Sequence, residues 1–425
     1  MYKTPLLFIS ILLSTPIFAQ NDKPIKVEVR KTGDKFQLFR GGQPYYIKGA
    51  GGYDHFDMLA QCGGNSIRIW GHEQAKDILD EAQKLGLTVT VGLWVAQERH
   101  GFDYNDGDAV DEQLRKFKVI VEQLKDHPAL LLWGIGNEVN LSYTNMNVWY
   151  AIDGIAKMIH EVDPNHPTMT AISSIHENDV RMIKERCPNI DILGINTYAG
   201  VINVPDKIRE YEWDRSYIIT EWGPTGHWEI EKTDWEAPIE QTSTEKANLC
   251  RSRYESAILK DSTKCLGSYV FKWGNKQEMT ATWYSTILES GEKTEMVNVM
   301  QHLWTGKWPT NRTPRLESFV LNNKTAKENV RLIRMELYKA KVKAVDTDND
   351  SLRYEWEVIP ESKDLKEGGD QEDKPFTLED TYKTNGQNEL TFKAPRRSGA
   401  YRLFVYVYDG HNNVATANIP FLVKK

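Results

Sequence analysis

The chain has 425 residues, of which 40% are hydrophobic and 11% aromatic, and its formal net charge is −7. This apolar fraction is ample for a sizeable core, which excludes a disordered protein. The length exceeds that of one typical domain and suits one large domain with a small one. With a negative net charge and no basic run, neither nucleic acid nor an anionic membrane surface is an expected partner.

The first twenty residues are typical of an export signal. Lys3 supplies the positive start, residues 5–13 an apolar stretch, and residues 17–19 a cleavage site. The apolar stretch is too short to span a bilayer and no later segment approaches the required length, so we expect no stable membrane insertion. No cysteine follows the stretch, which argues against a lipid-anchored protein. We predict a signal peptide over residues 1–20 and a periplasmic or secreted mature protein.

The next segments predict a barrel. Residues 24–44 are typical of a small hairpin that caps the barrel floor. From residue 45 to about 305, short apolar runs alternate with amphipathic helix patterns, as in repeated strand–helix units around a parallel sheet. Eight such units predict the α/β fold class and a (β/α)8 TIM barrel over residues 21–308. The predicted strands are Tyr45–Lys48, Ser66–Trp70, Thr88–Leu93, Leu130–Ile135, Thr168–Ile172, Ile190–Ile195, Ser216–Thr220 and Ser268–Lys272.

A change of composition marks the second domain. Residues 305–314 are rich in Gly, Pro, Thr and Asn, which is typical of a linker. Short alternating runs with turn residues follow, and Asp409-Gly410 predicts a hairpin turn. This pattern predicts a small C-terminal all-β immunoglobulin-like sandwich over residues 309–425. Its charged, Gly-rich stretch 361–374 is expected to be a mobile loop.

Two glutamates each close an apolar run of the predicted barrel. Asn137 and Glu138 follow residues 130–136, and Glu221 follows residues 217–220. The carboxyl ends of barrel strands meet in one cavity, so distant residues come together there. Hydrolysis of a glycosidic bond with retention needs two carboxyl groups about 5 Å apart, one as acid and one as nucleophile. The alternative for each glutamate is a structural salt bridge at a strand end. A carboxylate is costly to bury unless it has a role such as this catalysis.

The motifs around these glutamates resemble clan A of the glycoside hydrolases, particularly the catalytic barrel of family 2. Residues 127–138 resemble that family's fourth strand, and residues 218–223 its seventh, which implies that Glu138 is the acid/base and Glu221 the nucleophile. The resemblance covers residues 30–305. A single barrel with a C-terminal immunoglobulin-like domain is also similar to the β-1,3-glucanases of family 158.

Three further residues are predicted to bind substrate. Asn137 is suited to hydrogen-bond the sugar 2-hydroxyl. The motif at residues 65–71 resembles the second strand of the family 2 barrel, which implies that Arg68 steadies the nucleophile. The motif at residues 191–198 resembles the sixth strand, which implies that Tyr198 contacts the same carboxylate. A structural ion pair for Arg68 and simple packing for Tyr198 are the alternatives.

Aromatic residues cluster near the predicted strand tips and in the loops that follow. A pyranose ring presents flat C–H faces that an aromatic ring buries. We predict Trp94, Trp222 and Trp273 as substrate-binding residues, with Trp273 on the floor of the sugar site. Packing within the loops is the alternative for about half of the whole set. The other members are Trp70, Trp228, Trp235, Trp283 and Tyr284.

The remaining reactive residues do not predict a cofactor. The four cysteines, Cys62, Cys187, Cys250 and Cys265, lack a C-x-x-C spacing and are predicted to be buried free thiols. The acidic stretch 346–350 alternates carboxylates as a Ca²⁺ loop does, but it lacks the glycine of the helical calcium loop. We interpret it as a solvated turn, and expect neither a metal nor a cofactor.

These observations together predict an exported retaining β-glycoside hydrolase that acts as a monomer on a carbohydrate substrate. An endo-β-glucanase acting on a β-linked polysaccharide or oligosaccharide is the main interpretation. An exo-β-glycosidase of galactosidase, mannosidase or glucuronidase type is the first alternative. A non-catalytic carbohydrate-binding protein is the second, although both glutamates are present.

Overall fold

The structure, a computed structural model, describes residues 23–378 and 386–425. The predicted signal peptide lies outside the described residues. None of the helices in the part of the chain that is described is long and apolar enough to cross a membrane.

A small antiparallel sheet precedes the barrel, with strands β1 (Val27–Thr32), β2 (Lys35–Arg40) and β3 (Gln43–Tyr45). Val27 and Leu38 are buried against residues of the barrel strands, including Leu131 and Ile192, close to where those strands begin. The predicted hairpin is therefore present, with a third strand, and it covers the amino-terminal end of the barrel.

Eight parallel strands close into a barrel, which confirms the predicted (β/α)8 fold. The strands are β4 (Ile47–Gly51), β5 (Ser66–Ile69), β6 (Thr88–Leu93), β7 (Leu130–Asn137), β8 (Thr168–Ser173), β9 (Ile192–Asn196), β10 (Ser216–Trp222) and β11 (Cys265–Val270). The helices are α1 (Phe56–Gln61), α2 (Ala75–Lys84), α3 (Gly107–Leu124), α4 (Asn147–Val162), α5 (Glu177–Arg186), α6 (Val204–Glu210), α7 (Ser243–Arg253) and α8 (Glu295–Thr305).

Burial explains why these segments form these elements. Every residue of β7 is buried, as expected of a parallel strand that is covered on both faces. In α2 the buried residues Ala75, Ile78, Leu79 and Ala82 recur at helical spacing and form the face that packs on the barrel. All four cysteines are buried and free, as predicted, and they belong to this packing.

The C-terminal domain is a β-sandwich. One sheet has the order β12-β14-β16 and the other the order β13-β18-β17-β15. Side chains from both sheets, including Val342, Phe392, Leu403 and Phe421, form one core. The all-β domain is confirmed, and its immunoglobulin-like type stays a prediction. Its strands are β12 (Arg315–Leu321), β13 (Arg331–Ile333), β14 (Leu337–Val345), β15 (Arg353–Pro360), β16 (Glu389–Lys393), β17 (Gly399–Tyr408) and β18 (Val414–Lys424).

Buried polar contacts join the sandwich to the barrel. The Arg402 guanidinium donates to the Pro238 carbonyl at 2.8 Å, and the Asn418 amide donates to Glu240 at 2.5 Å. Arg402 is 1% exposed and Glu240 is 6% exposed, so water does not compete for these bonds. The two domains are thus held in a defined orientation.

The stretch 361–374, expected to be a mobile loop, is instead packed against the barrel. Arg99 of the barrel pairs with Asp370 at 3.1 Å, and Glu372 accepts a hydrogen bond from the backbone of Met279 at 2.7 Å. Two of the charged residues that suggested a mobile loop, Asp370 and Glu372, are partners for barrel groups. This prediction was wrong because charge alone does not distinguish a solvated loop from one held by ion pairs.

Candidate active site

The candidate catalytic residues lie at the carboxyl end of the barrel. Glu138 directly follows β7, and Glu221 is the penultimate residue of β10. Glu138 has a φ of 51°, in the left-handed region, which costs a non-glycine residue about 1–2 kcal/mol. A hydrogen bond from its backbone N–H to the Ala171 carbonyl at 2.8 Å holds this conformation. Such strain is commonly kept where a side chain must be aimed at a site.

One amide group brings the two carboxyl groups together. The Asn196 Nδ2 group donates to Glu138 Oε1 at 2.9 Å and to Glu221 Oε1 at 2.8 Å. Two oxygens bonded to the same nitrogen at these distances lie within about 6 Å of each other. The two carboxyl groups are therefore neighbours, as the catalytic pair of a retaining glycosidase is.

Glu221 is surrounded by hydrogen-bond donors. Its Oε1 accepts from Arg68 at 2.8 Å, from the Trp70 indole at 2.7 Å and from Asn196. Its Oε2 accepts from the Tyr198 hydroxyl at 3.2 Å. Both oxygens thus accept hydrogen bonds, and one of the donors is a permanent cation.

Glu138 has the opposite environment. Burial raises the pKa of its carboxyl to about 7, and the negative charge of Glu221 acts in the same direction. The hydrogen bond from Asn196 and the charge of Arg68 lower this pKa and only partly offset those effects. A carboxyl group with a raised pKa thus lies beside one that accepts a hydrogen bond from a permanent cation, which is the arrangement expected of an acid and a nucleophile.

Arg68 and Asn137 complete the network. Arg68 is 2% exposed and donates to Asn137 Oδ1 at 2.7 Å and to the Thr220 carbonyl at 3.0 Å. Asn137 Oδ1 also accepts from Asn196 at 3.0 Å. The structural ion pair considered for Arg68 is present, and it is formed with Glu221. Both Arg68 and Tyr198 contact the carboxylate that the family resemblance implied.

A cavity of about 560 Å³ opens above these residues. Both glutamates, Asn137, Asn196 and Tyr198 line it, together with Trp94, which was predicted to bind substrate. The remaining residues that line it are Tyr53, Trp70, Leu141, Ser142, Ser173, Ser174, His227, Trp228, Glu229, Phe271, Lys272, Lys276, Glu278, Lys366, Glu367, Gly368 and Gly369.

Two tryptophans predicted to bind substrate lie in the core instead. Trp222 is fully buried and packs against Tyr254, with ring centroids 5.5 Å apart. Successive side chains of a strand point to opposite faces, so Glu221 faces the cavity and Trp222 faces the surrounding helices. Trp273 is 1% exposed, packs against Trp304 and donates to the His55 carbonyl at 3.0 Å. Neither residue lines the cavity.

A third buried carboxyl group, Glu278, lines the cavity and was not predicted. Burial raises its pKa to about 7. Lys276 lies 3.3 Å from it, and His227 lies 3.8 Å from it. Glu278 belongs to the loop after β11, where no apolar run marks a strand tip, so the pattern that identified Glu138 and Glu221 does not apply. The nearest residues that the sequence suggested for substrate binding are Trp283 and Tyr284, a few positions later.

Part of the cavity wall comes from the sandwich domain. Residues 366–369 line the cavity although they are more than 140 positions from Glu221 in the sequence. The adjacent glycines at 368 and 369 both have positive φ angles, of 64° and 74°. These two glycines are the only local signal of a tight turn, and nothing in the sequence relates that turn to the barrel.

The acidic stretch 346–350 lies in a turn of the sandwich and not at this cavity. The carboxylates of Asp346, Asp348 and Asp350 have oxygens within 4.8 Å of one another. Asp346 accepts hydrogen bonds from the backbone N–H groups of Asp348 and Asp350 at 2.8 and 3.0 Å, as in a turn closed by its own first residue.

Several β-glucuronidases are similar to a part of this chain. The β-glucuronidase of Sus scrofa is 23% identical over 185 residues, which are 38% of this chain and 26% of that protein. The β-glucuronidase of Rattus norvegicus is 20% identical over 214 residues, 45% of this chain and 31% of that protein. The matches thus span only about a quarter to a third of the length of these curated relatives. No protein-family model matches the chain.

Solved structures show the same barrel fold. A Faecalibacterium prausnitzii β-glucuronidase superimposes with a TM-score of 0.51 at 15% identity, over 67% of this chain and 52% of that chain. The Bacteroides uniformis β-glucuronidase 2 covalently bound to cyclophellitol-6-carboxylate aziridine has a TM-score of 0.51 at 14% identity, over 94% of this chain and 48% of that chain. At this level of identity the similarity is one of fold.

Proposed function

We propose that this protein is a retaining β-glycoside hydrolase with Glu138 as acid/base and Glu221 as nucleophile. The observation that carries the proposal is the single Asn196 amide that donates to both carboxyl groups. Two carboxyl groups that share one hydrogen-bond donor are neighbours, and this supports the double-displacement mechanism, in which the two groups are about 5 Å apart. The fold shared with β-glucuronidases supports the same class of reaction.

Each residue has a defined part in this reaction. Glu138 donates its proton to the glycosidic oxygen while Glu221 attacks the anomeric carbon; the bond to the leaving oxygen breaks and a glycosyl ester forms. Glu138, now ionised, takes a proton from water, the water oxygen attacks the anomeric carbon, and Glu221 is released. Oδ1 of Asn137 accepts from Arg68 and Asn196, so we assign the Nδ2 group of Asn137 to the sugar 2-hydroxyl. These steps require neither a metal nor a cofactor.

The proposed substrate is a β-linked polysaccharide or oligosaccharide, with endo-β-glucanase activity as the main candidate. A volume of about 560 Å³ is within the range of about 300–1,000 Å³ for ligand sites. Trp94 and Trp228 line the cavity at separate loops, where they can stack on different sugar units. A glucan cut in its interior would place units on both sides of the catalytic pair.

An exo-acting β-glucuronidase is the second candidate. Its support is the group of lysines on the cavity, Lys272, Lys276 and Lys366, since a uronic acid carries a carboxylate that a lysine can bind. The names of the curated relatives agree with this candidate. Two assays distinguish the endo-β-glucanase from the β-glucuronidase: analysis of the products released from a β-1,3-glucan, and hydrolysis of an aryl β-glucuronide. Oligosaccharides from the glucan favour the first, and free glucuronic acid favours the second.

Variants of the two glutamates test the mechanism. Glu221→Ala should abolish turnover, and azide should restore it by attacking the face of the sugar that the carboxylate occupied. Glu138→Ala should lower the rate on poor leaving groups by about 10²–10⁴-fold, with little loss on good leaving groups that need no protonation. An identical response of both variants to azide and to the leaving group would show that the roles are wrongly assigned.

We also propose that the protein works outside the cytoplasm, on the basis of the export signal predicted over residues 1–20, and that it is a monomer. Amino-terminal sequencing of the secreted or periplasmic protein tests the cleavage near Gln20. Recovery of the intact amino terminus in the cytoplasm alone would contradict the proposal.

A further inference from the structure

The sandwich loop, defined as residues 361–374, crosses the rim of the barrel and contacts loops on both sides of the cavity. On one side, Asp370 accepts hydrogen bonds from Arg99 at 3.1 Å and lies 3.1 Å from His100, in the loop after β6. On the other side, Lys276 in the loop after β11 donates to the Gly369 carbonyl at 2.6 Å. The strands β4 and β5 lie between β11 and β6 in the barrel, so the loop bridges well-separated points of the rim.

A buried carboxylate fixes the loop in this position. Glu372 is 3% exposed, and its Oε2 accepts from the backbone N–H of Met279 at 2.7 Å. Its Oε1 accepts from the backbone N–H of Lys366 at 3.1 Å, within the loop itself. One side chain thus organises the turn that lines the cavity and attaches it to the barrel. A buried ionised group without such partners would be strongly unfavourable.

The tip of the loop comes into close contact with the barrel at Gly368. A Cβ atom at this position would lie 2.7 Å from Arg99 Nη2 and 3.0 Å from a methyl group of Leu141. The φ of 64° also favours glycine. The contact with Leu141 places the tip of the loop near Glu138, because the backbone N–H of Leu141 donates to the Glu138 carbonyl at 2.9 Å.

The acid/base residue protonates the oxygen that departs with the leaving group, so the leaving group lies on its side of the cavity. We propose that the sandwich loop, through residues 366–369, is a binding wall for the sugar unit on the leaving-group side. The sandwich domain then determines which substrates are cleaved well. This inference rests on the proposed glycosidase function and assigns a second domain to the same site.

Two anchor variants test this inference, Asp370→Asn and Glu372→Gln, with Glu389→Gln as the matched control. Glu389 is an exposed sandwich residue that pairs with Lys341 at 2.6 Å, away from the loop. The measurements are kcat and KM on an aryl β-glycoside and on oligosaccharides with the same non-reducing sugar. The aryl compound has no sugar on the leaving-group side.

We expect the anchor variants to raise KM for the oligosaccharides by about tenfold, the effect of losing one well-oriented polar contact. The change with the aryl glycoside should be much smaller, and the control variant should match the wild type on both. Equal changes on the two substrates, or no change on either, would overturn the inference.

Two further measurements cover the remaining outcomes. If an anchor variant unfolds at a lower temperature than the control, Lys366→Ala replaces it, because that side chain is exposed and can be shortened without opening the core. An unchanged KM for oligosaccharides in Lys366→Ala would then overturn the inference.

If the wild type hydrolyses no β-glycoside, the proposed function fails. Calorimetric titration with the oligosaccharides then tests separately whether the sandwich loop binds sugar. Binding that the anchor variants weaken supports the wall, and equal binding or none refutes it.

Discussion

Removal of the Asn196 amide should impair both proposed catalytic carboxyl groups at once. Asn196 is 2% exposed, and its Nδ2 group donates to Glu138 at 2.9 Å and to Glu221 at 2.8 Å. A hydrogen bond to a charged group contributes about 1.5–3 kcal/mol, and each 1.4 kcal/mol corresponds to a factor of ten in rate. Loss of the bond to Glu221 alone predicts that Asn196→Ala lowers kcat/KM by about ten- to hundredfold.

The pH dependence of the same variant has a definite sign. In the proposed mechanism Glu138 must be protonated in the first step, so kcat/KM should fall as the pH rises through its pKa of about 7. The hydrogen bond from Asn196 lowers this pKa. Its removal should raise the pKa and move the alkaline fall in kcat/KM to higher pH. Rates on an aryl β-glycoside with a poor leaving group, measured between about pH 5 and pH 9, test this.

Asn65→Ala is the matched control for Asn196→Ala. Asn65 precedes β5, at the opposite end of the barrel, where its Oδ1 accepts from the Lys48 backbone at 2.9 Å and its Nδ2 donates to the Tyr46 carbonyl at 2.9 Å. The control should lose thermal stability while its pH profile stays that of the wild type. An alkaline limb that does not move in Asn196→Ala, or that moves to lower pH, would refute the assignment of Glu138 as the protonated partner.

Two other predictions follow from the packing of single side chains. Trp228 is 56% exposed and lines the cavity, whereas Trp235 lies outside it with the Arg331 guanidinium 5.7 Å from its ring. Trp228→Ala should therefore raise KM for polysaccharide with kcat nearly unchanged, and Trp235→Ala should leave this KM unchanged. Burial raises the pKa of Glu138, Glu278 and Glu295 to about 7, so the native state binds more protons than the unfolded chain and stability should fall from about pH 5 to pH 7. The thermal unfolding temperature of Glu295→Gln should fall less than that of the wild type over this pH range. An equal dependence of the unfolding temperature on pH in both proteins would count against this explanation.

The barrel was predictable because its strands are covered on both faces. Such strands appear as continuous apolar runs, and all eight predicted runs overlap a strand of the barrel. At β11 the strand begins at Cys265 rather than Ser268. Gly267 interrupts the run, and its φ of 126° departs from ordinary strand geometry. At β4, which pairs with β11 in the closed barrel, Tyr45 belongs to β3 and the barrel strand begins at Ile47.

The side chains at the strand tips were predictable only in part. The apolar runs place Glu138 and Glu221 at the strand ends, but whether a neighbouring residue faces the cavity depends on strand register. Trp222 is adjacent to Glu221 and therefore faces the opposite side, into the core. Glu278 lies in a loop whose path depends on packing against His227 and Lys276, and no local pattern specifies that path.

The cavity is not formed by the barrel alone. The motifs that resemble family 2 lie within residues 30–305, while part of the cavity wall comes from residues 366–369. Arg99 and Asp370 are 271 positions apart, and an arginine and an aspartate in two charged loops are ordinary surface residues until the fold brings them together. Relatives that share the barrel but lack this loop would keep the catalytic pair with a different leaving-group wall. In the proposed mechanism the bond-breaking chemistry follows from the strand tips, and we propose that the choice of substrate depends on a contact between domains.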